Sequence, residues 1–461
     1  MTLSAISSKK GFLASLIPLM EKGGCDADAL YLKEEDLYVN KDKTSIDVSR
    51  STDEGVKLRV FDGERYHERG LSGWDEGELK RAATELGEVR KKRVKVKIDV
   101  PHESLDADYA ALGKINPSIV PLTKKISDVN KLHKRLMDSS KLLVNGRVYY
   151  DETHELKIFV NRYRRLSQRI GGCFIFLLAF VQAGEDMRYH YLSLFDHGYE
   201  RMTVPQKDIE ELACFAEKVA KAGKLKPGKY LCLLSPNVAG LLAHESFGHG
   251  MEADTLYKGR AKAAEFLGKR LAPASISIAD GPMEPGKHGF FFFDDEGCLA
   301  TKTLMIEKGI VHRPLTDAYN AARTGFPRSS NGRAESFDHK AYARMTNTYF
   351  EPGKDTKVAL LKRIKDGLLL HTSAGGMEDP KGWGIQVQGI VAERVRDGRP
   401  TGELYYEVGM TGYLPDVLNN VLGVSKEFDI PGAGRCGKGH KEWVRVAEGG
   451  PWLLIKDVVL S

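Results

Sequence analysis

Residues 230–250 read YLCLLSPNVAGLLAHESFGHG, and the order of elements in this stretch sets the fold class. YLCLLS is a short apolar run with the character of a buried strand. Ser235 and Pro236 then mark a helix start: a hydroxyl N-cap, followed by proline at the first helical position, where its missing N–H costs nothing. Val238, Leu241 and Leu242 supply the i, i+3, i+4 apolar stripe of that helix. His244, Glu245 and His249 fall at its C-terminal end. In the familiar zinc-peptidase helix, H-E-x-x-H, the histidines are four apart. Here they are five apart. On a regular α-helix four residues turn by roughly 40° net and five by roughly 140°. The two imidazoles therefore converge only if the helix widens into a π-type turn or ends between them. Gly248 and Gly250 flank His249 and permit either.

The chain changes character on the two sides of this helix. Before it, helical periods (DEGELKRAATELGEVRKK, SDVNKLHKRLMDSSKLL, PQKDIEELACFAEKVAKAG) alternate with strand-like runs (DLYVNK, SIDVSRS, GVKLRVFDG, RVYYDE, KIFVNRYRRLS, CFIFLLAFVQ). KAGKLKPGK, residues 221–229, reads as a linker. After the helix the chain is strand-rich. GFFFFDDEGCLATKTLMIEKGIVH, 289–312, reads as strands broken by turns at Asp294–Gly297 and Lys308–Gly309. GIQVQGIVAERVRDGRPTGELYYEV, 384–408, reads as a hairpin turning at Asp397-Gly398. RMTNTYFEPG, 344–353, alternates like a strand. The expectation is an α+β protein. Its N-terminal α/β domain covers 1–225, divisible at 115/116 into two subregions. Its strand-rich domain, 226–461, carries the histidine helix.

Composition narrows the function classes. With 461 residues the chain exceeds one core of ordinary size. It is 42% hydrophobic and 29% charged, which excludes a disordered protein. Net charge is +6 and the pI about 8.7, a mild excess for this length. No helix-turn-helix, zinc finger or basic stripe argues for direct nucleic-acid contact. The densest basic run, VRKKRVKVK at 89–97, reads as a solvated helix end meeting a strand edge. Six scattered cysteines (25, 173, 214, 232, 298, 436) form no disulfide framework and suit a reducing compartment. The N-terminal apolar run is interrupted by Pro18 and lacks a small-x-small cleavage site. CFIFLLAFV, 173–181, is too short to span a bilayer. A cytoplasmic protein with no membrane association is expected.

Two imidazoles and a carboxylate at a glycine-broken helix end are raw material for a zinc site with Glu245 as general base. A catalytic zinc takes three protein ligands and keeps one position open. On residue type alone the third ligand is open among Glu252, Asp254, His440 and Cys436. Arg344 and Asn347 either hold substrate or belong to a surface strand with an ion pair. Glu252 and Asp254 either orient the histidines or solvate a helix end.

HESFGHGMEAD (244–254), NGRAESFDHKAYARMTNTYFEPG (331–353) and RCGKGH (435–440) together resemble the TldD side of the TldD/PmbA (TldE) metallopeptidase family. The likeness covers nearly the whole chain, although the N-terminal half matches mainly in layout. It implies one zinc per chain on His244, His249 and Cys436, with Glu245 as the catalytic carboxylate. It further implies hydrolysis of unfolded or extended peptides through a metal-activated water. The inactive partner type of the family lacks H-E-x-x-x-H, so the resemblance is to the active type. It also implies a dimer, with a second copy or with a TldE/PmbA-type homologue, whose zinc sites face an enclosed interior. Active members commonly carry Gly-Gln where this chain has Gly439-His440, which leaves His440 as a rival ligand or a neighbour of the site. The family has also been named for modulation of DNA gyrase, so a non-catalytic regulatory subunit is the competing reading.

Overall fold

The structure is a computed structural model describing residues 2–93, 95–100, 103–439 and 442–461. Its N-terminal half begins with helix α1 (Leu3–Met20), whose cap is the Thr2 hydroxyl. Three strands follow: β1 (Asp26–Lys41), β2 (Ile46–Phe61) and β3 (Tyr66–Ser72). Then come α2 (Glu76–Gly87), β4 (Leu105–Ala111), α3 (Leu122–Asp138), β5 (Leu143–Asn161), β6 (Arg164–Ala183), β7 (Asp186–Asp196) and α4 (Gln206–Ala220). Among the described residues the seven strands form one sheet in the order β3-β2-β1-β5-β6-β4, with β7 also on β6. The strands expected at 45–51 and 55–63 are one strand, β2, because its antiparallel register with β1 continues through Ser51–Gly55. The helices cover one face of the sheet. Leu13, Leu16 and Ile17 of α1 pack with Val56, Leu58 and Val60, while α3 and α4 pack over Ile175, Leu177 and Ala179 of β6. The basic run is loop rather than strand edge, and Lys92 and Lys95 are tied to Glu64 at 3.4 and 2.8 Å. Val94 of that run lies outside the described residues.

The second half is built on β8 (Gly228–Leu234) and α5 (Pro236–Ala243). The cap forms as the local chemistry requires, with Ser235 Oγ accepting from the Val238 N–H at 3.4 Å. The later strands are β9 (Ile278–Asp280), β10 (Thr303–Glu307), β11 (Ile310–Val311), β12 (Gly332–Arg333), β13 (Tyr342–Ala343) and β14 (Asn347–Phe350). They continue with β15 (Asp366–Thr372), β16 (Gly375–Asp379), β17 (Gly384–Arg396), β18 (Arg399–Tyr413), β19 (Val421–Asp429), β20 (Gly434–Cys436) and β21 (Val444–Leu460). The main path runs β11-β10-β9-β14-β21-β18-β17-β15-β8, and β8 pairs back onto β21, closing a ring of sheet. Alternation along β8 places Cys232 and Leu234 on the α5 side, with Val238, Leu242 and Phe247, and Leu233 on the other. The hairpin β17/β18 turns at Asp397-Gly398, both with positive φ. The whole is a mixed α+β fold.

Two strand expectations change. Residues 289–302 form no ladder; Phe293 and Leu299 make an isolated bridge. Their apolar character is spent elsewhere: Phe292 stacks on Tyr109 at 4.9 Å and Phe293 packs with Leu30, Phe159 and Leu166. This loop wedges the two halves together, and Arg164 Nη1 donates to the Gly297 carbonyl at 2.7 Å beside it. Within 344–353 only β14 is strand, and it lies inside the sheet. Among the described residues no helix is long and apolar enough to cross a membrane.

Candidate metal centre

After Ala243 the helix does widen. His244–Gly248 forms one π-helical turn, followed by a short 3-10 turn at His249–Met251. The extra residue rotates His249 back towards His244, and the two rings stand 5.3 Å apart and nearly perpendicular. Gly248 is required for packing as well as for the turn: a Cβ there would lie 2.0 Å from Met345 Sδ.

Cys436 arrives from β20, held against β21 by the pair Cys436↔Val444. Its Sγ lies 3.3 Å from His244 Nε2 and 3.4 Å from His249 Nε2. The three donor atoms fall within 4.8 Å of one another. Burial by itself would raise the Cys436 thiol, but the two imidazoles outweigh it and bring it down to about 5. Two imidazole nitrogens and a thiolate at these separations form a donor set that fits zinc. The buried Nδ1 of His244 has no hydrogen-bond partner among the described residues. Nδ1 of His249 faces Glu252 Oε2 at 3.6 Å.

Glu252 is buried and anchors this side. Its carboxylate also takes Arg344 Nε at 3.2 Å and Lys438 Nζ at 2.9 Å. Arg344 in turn donates to the Cys436 carbonyl at 2.8 Å and lies 3.2 Å from its sulfur. Glu252 thus reaches a histidine, whereas Asp254 pairs with Lys438 and Lys258 instead. His440 lies outside the described residues.

Arg344 and Asn347 do not face a substrate. Both are fully buried. Asn347 is spent on the backbone, accepting from the Gly289 N–H and donating to the Gly281 carbonyl. Beside it, buried Asp280 accepts from Asn331, Thr346 and Thr348, which ties the 331–348 segment together. Alternation gives a strand no direction and so left substrate contact and a strand ion pair both open; the side-chain partners come from 58 to 98 residues away.

His244, His249 and Cys436 line a cavity of about 590 Å3. Glu245 lines it as well, and burial raises its carboxyl. Strand β16 crosses close by; a Cβ on Gly376 would lie 2.9 Å from Glu245 Cγ, so glycine permits that approach. Three residues of the wall carried no spacing or periodicity that would single them out: Lys438, Glu378 and Glu448. Both carboxyl oxygens of Glu378 are shut from solvent without a hydrogen bond among the described residues, and burial raises the group to about 8.

Known proteins place this architecture. Residues 227–461 match the C-terminal domain of the PmbA/TldA metallopeptidases. A metalloprotease of Methanocaldococcus jannaschii is 28% identical over 351 residues, 76% of each chain. A zinc metalloprotease TldD homologue of Saccharolobus solfataricus is 26% identical, over 89% of this chain and 90% of its own. The fold is shared with TldE from Thermococcus kodakarensis, at a TM-score of 0.76 and 15% identity over 98% of this chain and all of that one. It is shared too with a Thermotoga maritima protein described as a proposed modulator of a DNA gyrase, at a TM-score of 0.79 and 18% identity over 98% and 100%. The domain match over half the chain, together with the order of its motifs, makes this chain a member of the TldD/PmbA metallopeptidase family.

Proposed function

We propose that the chain is a zinc-dependent endopeptidase acting on extended or unfolded peptides. The observation that carries this reading is the convergence of two imidazoles and a thiolate on a cavity wall, with Glu245 beside them. Zinc held by His244, His249 and Cys436 would acidify a water and polarise a peptide carbonyl. Glu245 accepts the proton of the attacking water and returns it to the leaving amine. Glu252 orients His249 through Nδ1, and Arg344 holds the Cys436 loop in place. A carboxylate placed to move protons is not needed by a non-catalytic regulatory subunit, the rival reading. We place the peptidase chemistry in residues 226–461, which supply the lining of the cavity at the histidines.

An extended substrate needs a free strand edge. β14 offers none, since β9 and β21 occupy both its sides. β16 pairs only with β17 among the described residues, and its Met377 and Glu378 line the cavity. A peptide added along β16 would be held mainly by backbone, so cleavage should be broad in sequence and strict in conformation. One protein offered in two forms tests this. The destabilised form is expected to be cut and the stable domain spared, with cutting lost to a zinc chelator. Equal rates for both forms would overturn it.

Family membership is the ground for proposing a dimer, with a second copy or with a TldE-type chain. Light scattering on the active protein is expected to show a dimer; a clean, active monomer would refute it. We place the protein in the cytoplasm, acting on peptides rather than on DNA.

A further inference from the structure

The cavity at the histidines adjoins a second one of about 250 Å3, and the two share Leu241 and Glu448 as common wall. Two elements run past both. On α5, Asn237 borders the second chamber, Leu241 borders both, and His244 and Glu245 beyond it border the first. On the edge strand β16, Gly375 borders the second chamber and Met377 and Glu378 the first. A strand advances about 3.3 Å per residue. A peptide lying along β16 with one carbonyl at the metal ligands therefore carries a neighbouring side chain over the second chamber.

The opposite wall belongs to the N-terminal sheet. The register Phe176↔Ser193, Leu178↔Tyr191 and Phe180↔Tyr189 places these side chains on one sheet face. Phe176 and Tyr191 have ring centroids 5.2 Å apart. This accounts for CFIFLLAFV being apolar at every position: one face is helix-packed core, and the other lines the chamber. Part of the chamber's polar lining is already satisfied. Tyr191 Oη donates to the Ser373 carbonyl at 2.7 Å, and Asn237 Oδ1 accepts from Ser373 N and Oγ at 3.1 and 3.2 Å. Glu448 is the one carboxyl group in the lining among the described residues. Its carboxylate accepts no hydrogen bond and pairs with no lysine or arginine among the described residues. Aromatic faces beside an unpaired, partly desolvated carboxylate are complementary to a long apolar stem ending in a cation. A neutral side chain would leave Glu448 without a partner, and an acidic one would be repelled.

We propose that this chamber is a substrate pocket for a lysine or arginine side chain close to the scissile bond. Glu448 pairs with the cation, and Phe176, Tyr189 and Tyr191 cover the stem. The pocket rests on the peptidase reading above, and it adds one side-chain preference to an otherwise backbone-held substrate. The test uses hexapeptides that differ at a single position: Arg, Lys, Leu, Phe or Glu. Their binding is measured on the zinc-loaded Glu245→Gln protein, and kcat/KM on the wild type. Arg and Lys peptides are expected to bind about tenfold more tightly than the Leu peptide, with the Glu peptide weakest. Adding Glu448→Gln should bring the Arg-to-Leu ratio close to one, with zinc content measured alongside. If that variant loses zinc, Tyr191→Leu in the distant N-terminal sheet replaces it, and it too is expected to lower the ratio. Equal binding of all peptides, tighter binding of Leu or Phe, or a ratio that survives both substitutions would overturn the pocket. Selective binding without turnover in the wild type would leave the pocket standing and refute the peptidase. Turnover without side-chain preference would do the reverse.

Discussion

Glu245→Gln is expected to abolish peptide hydrolysis while the protein keeps one zinc per chain. The amide is nearly isosteric with the carboxylate, so the cavity and the close approach of Gly376 to the side chain are preserved. What is lost is the ability to take a proton from water and hand it on. Both proton transfers of the reaction depend on that group, and one such group contributes about 10²–10⁴-fold. Loss of about a thousandfold or more in kcat is therefore expected. Zinc should stay, because the converging donor set is His244, His249 and Cys436, without Glu245. Elemental analysis and peptide turnover on the same preparation make the measurement. Turnover close to wild type would sink the mechanism. A wild type with zinc but no turnover on any unfolded peptide would favour the regulatory reading.

Cys436→Ala is expected to empty the site. Without the sulfur, two imidazoles remain in the buried cluster, and neither Glu252 nor Asp254 is free to replace it. Glu252 is committed to Arg344, Lys438 and His249, and Asp254 to Lys438 and Lys258. The thiol is held near 5 by the charged imidazoles beside it, and the sulfur in turn raises His244 to about 9 and raises His249, so zinc binding at neutral pH displaces protons from the imidazoles rather than from the sulfur. Zinc measured after dialysis should fall close to zero, and hydrolysis with it. His244→Ala and His249→Ala should behave alike, and His440→Ala should retain its metal. The fold should survive, because Arg344 keeps the Cys436 backbone carbonyl and Glu252 as acceptors. Thermal unfolding with and without added zinc separates the two effects: the wild type should gain stability from zinc, and Cys436→Ala should not. Full zinc in Cys436→Ala, with loss in His440→Ala, would mean the third ligand is misassigned.

Much of the site's local form was legible from its own few residues. Ser235-Pro236 announces the cap, and the cap bond is there. The five-residue histidine spacing, set beside Gly248, calls for a widened turn or a helix end, and of the two a π turn is what forms. Each depends on groups within about one turn of chain, where sterics and hydrogen bonding leave few choices. Less local features were misread. The aromatic run at 290–293 looked like a strand because apolar residues must be buried somewhere; it is buried against the other half of the molecule. RMTNTYFEPG read as a strand whose Arg344 and Asn347 either hold substrate or sit on a surface strand, yet β9 and β21 enclose β14. Periodicity tells that a side chain is buried but not what covers it.

By itself the sequence determined the strand–cap–helix order at 230–250, the α+β character, and the glycine-permitted turn that brings two imidazoles together. Family resemblance pointed to Cys436, but its place beside the histidines is a tertiary matter. The sulfur meets His244 across 192 residues of chain, because β20 pairs with β21 and β21 pairs with β8, the strand that leads into α5. The same assembly turns Arg344 inward to that loop, leaves β16 rather than β14 at the edge, and sets Glu448 between two cavities without a partner among the described residues. Backbone preferences act over a few residues; which distant atoms meet is set by strand register and by the burial of whole sheet faces.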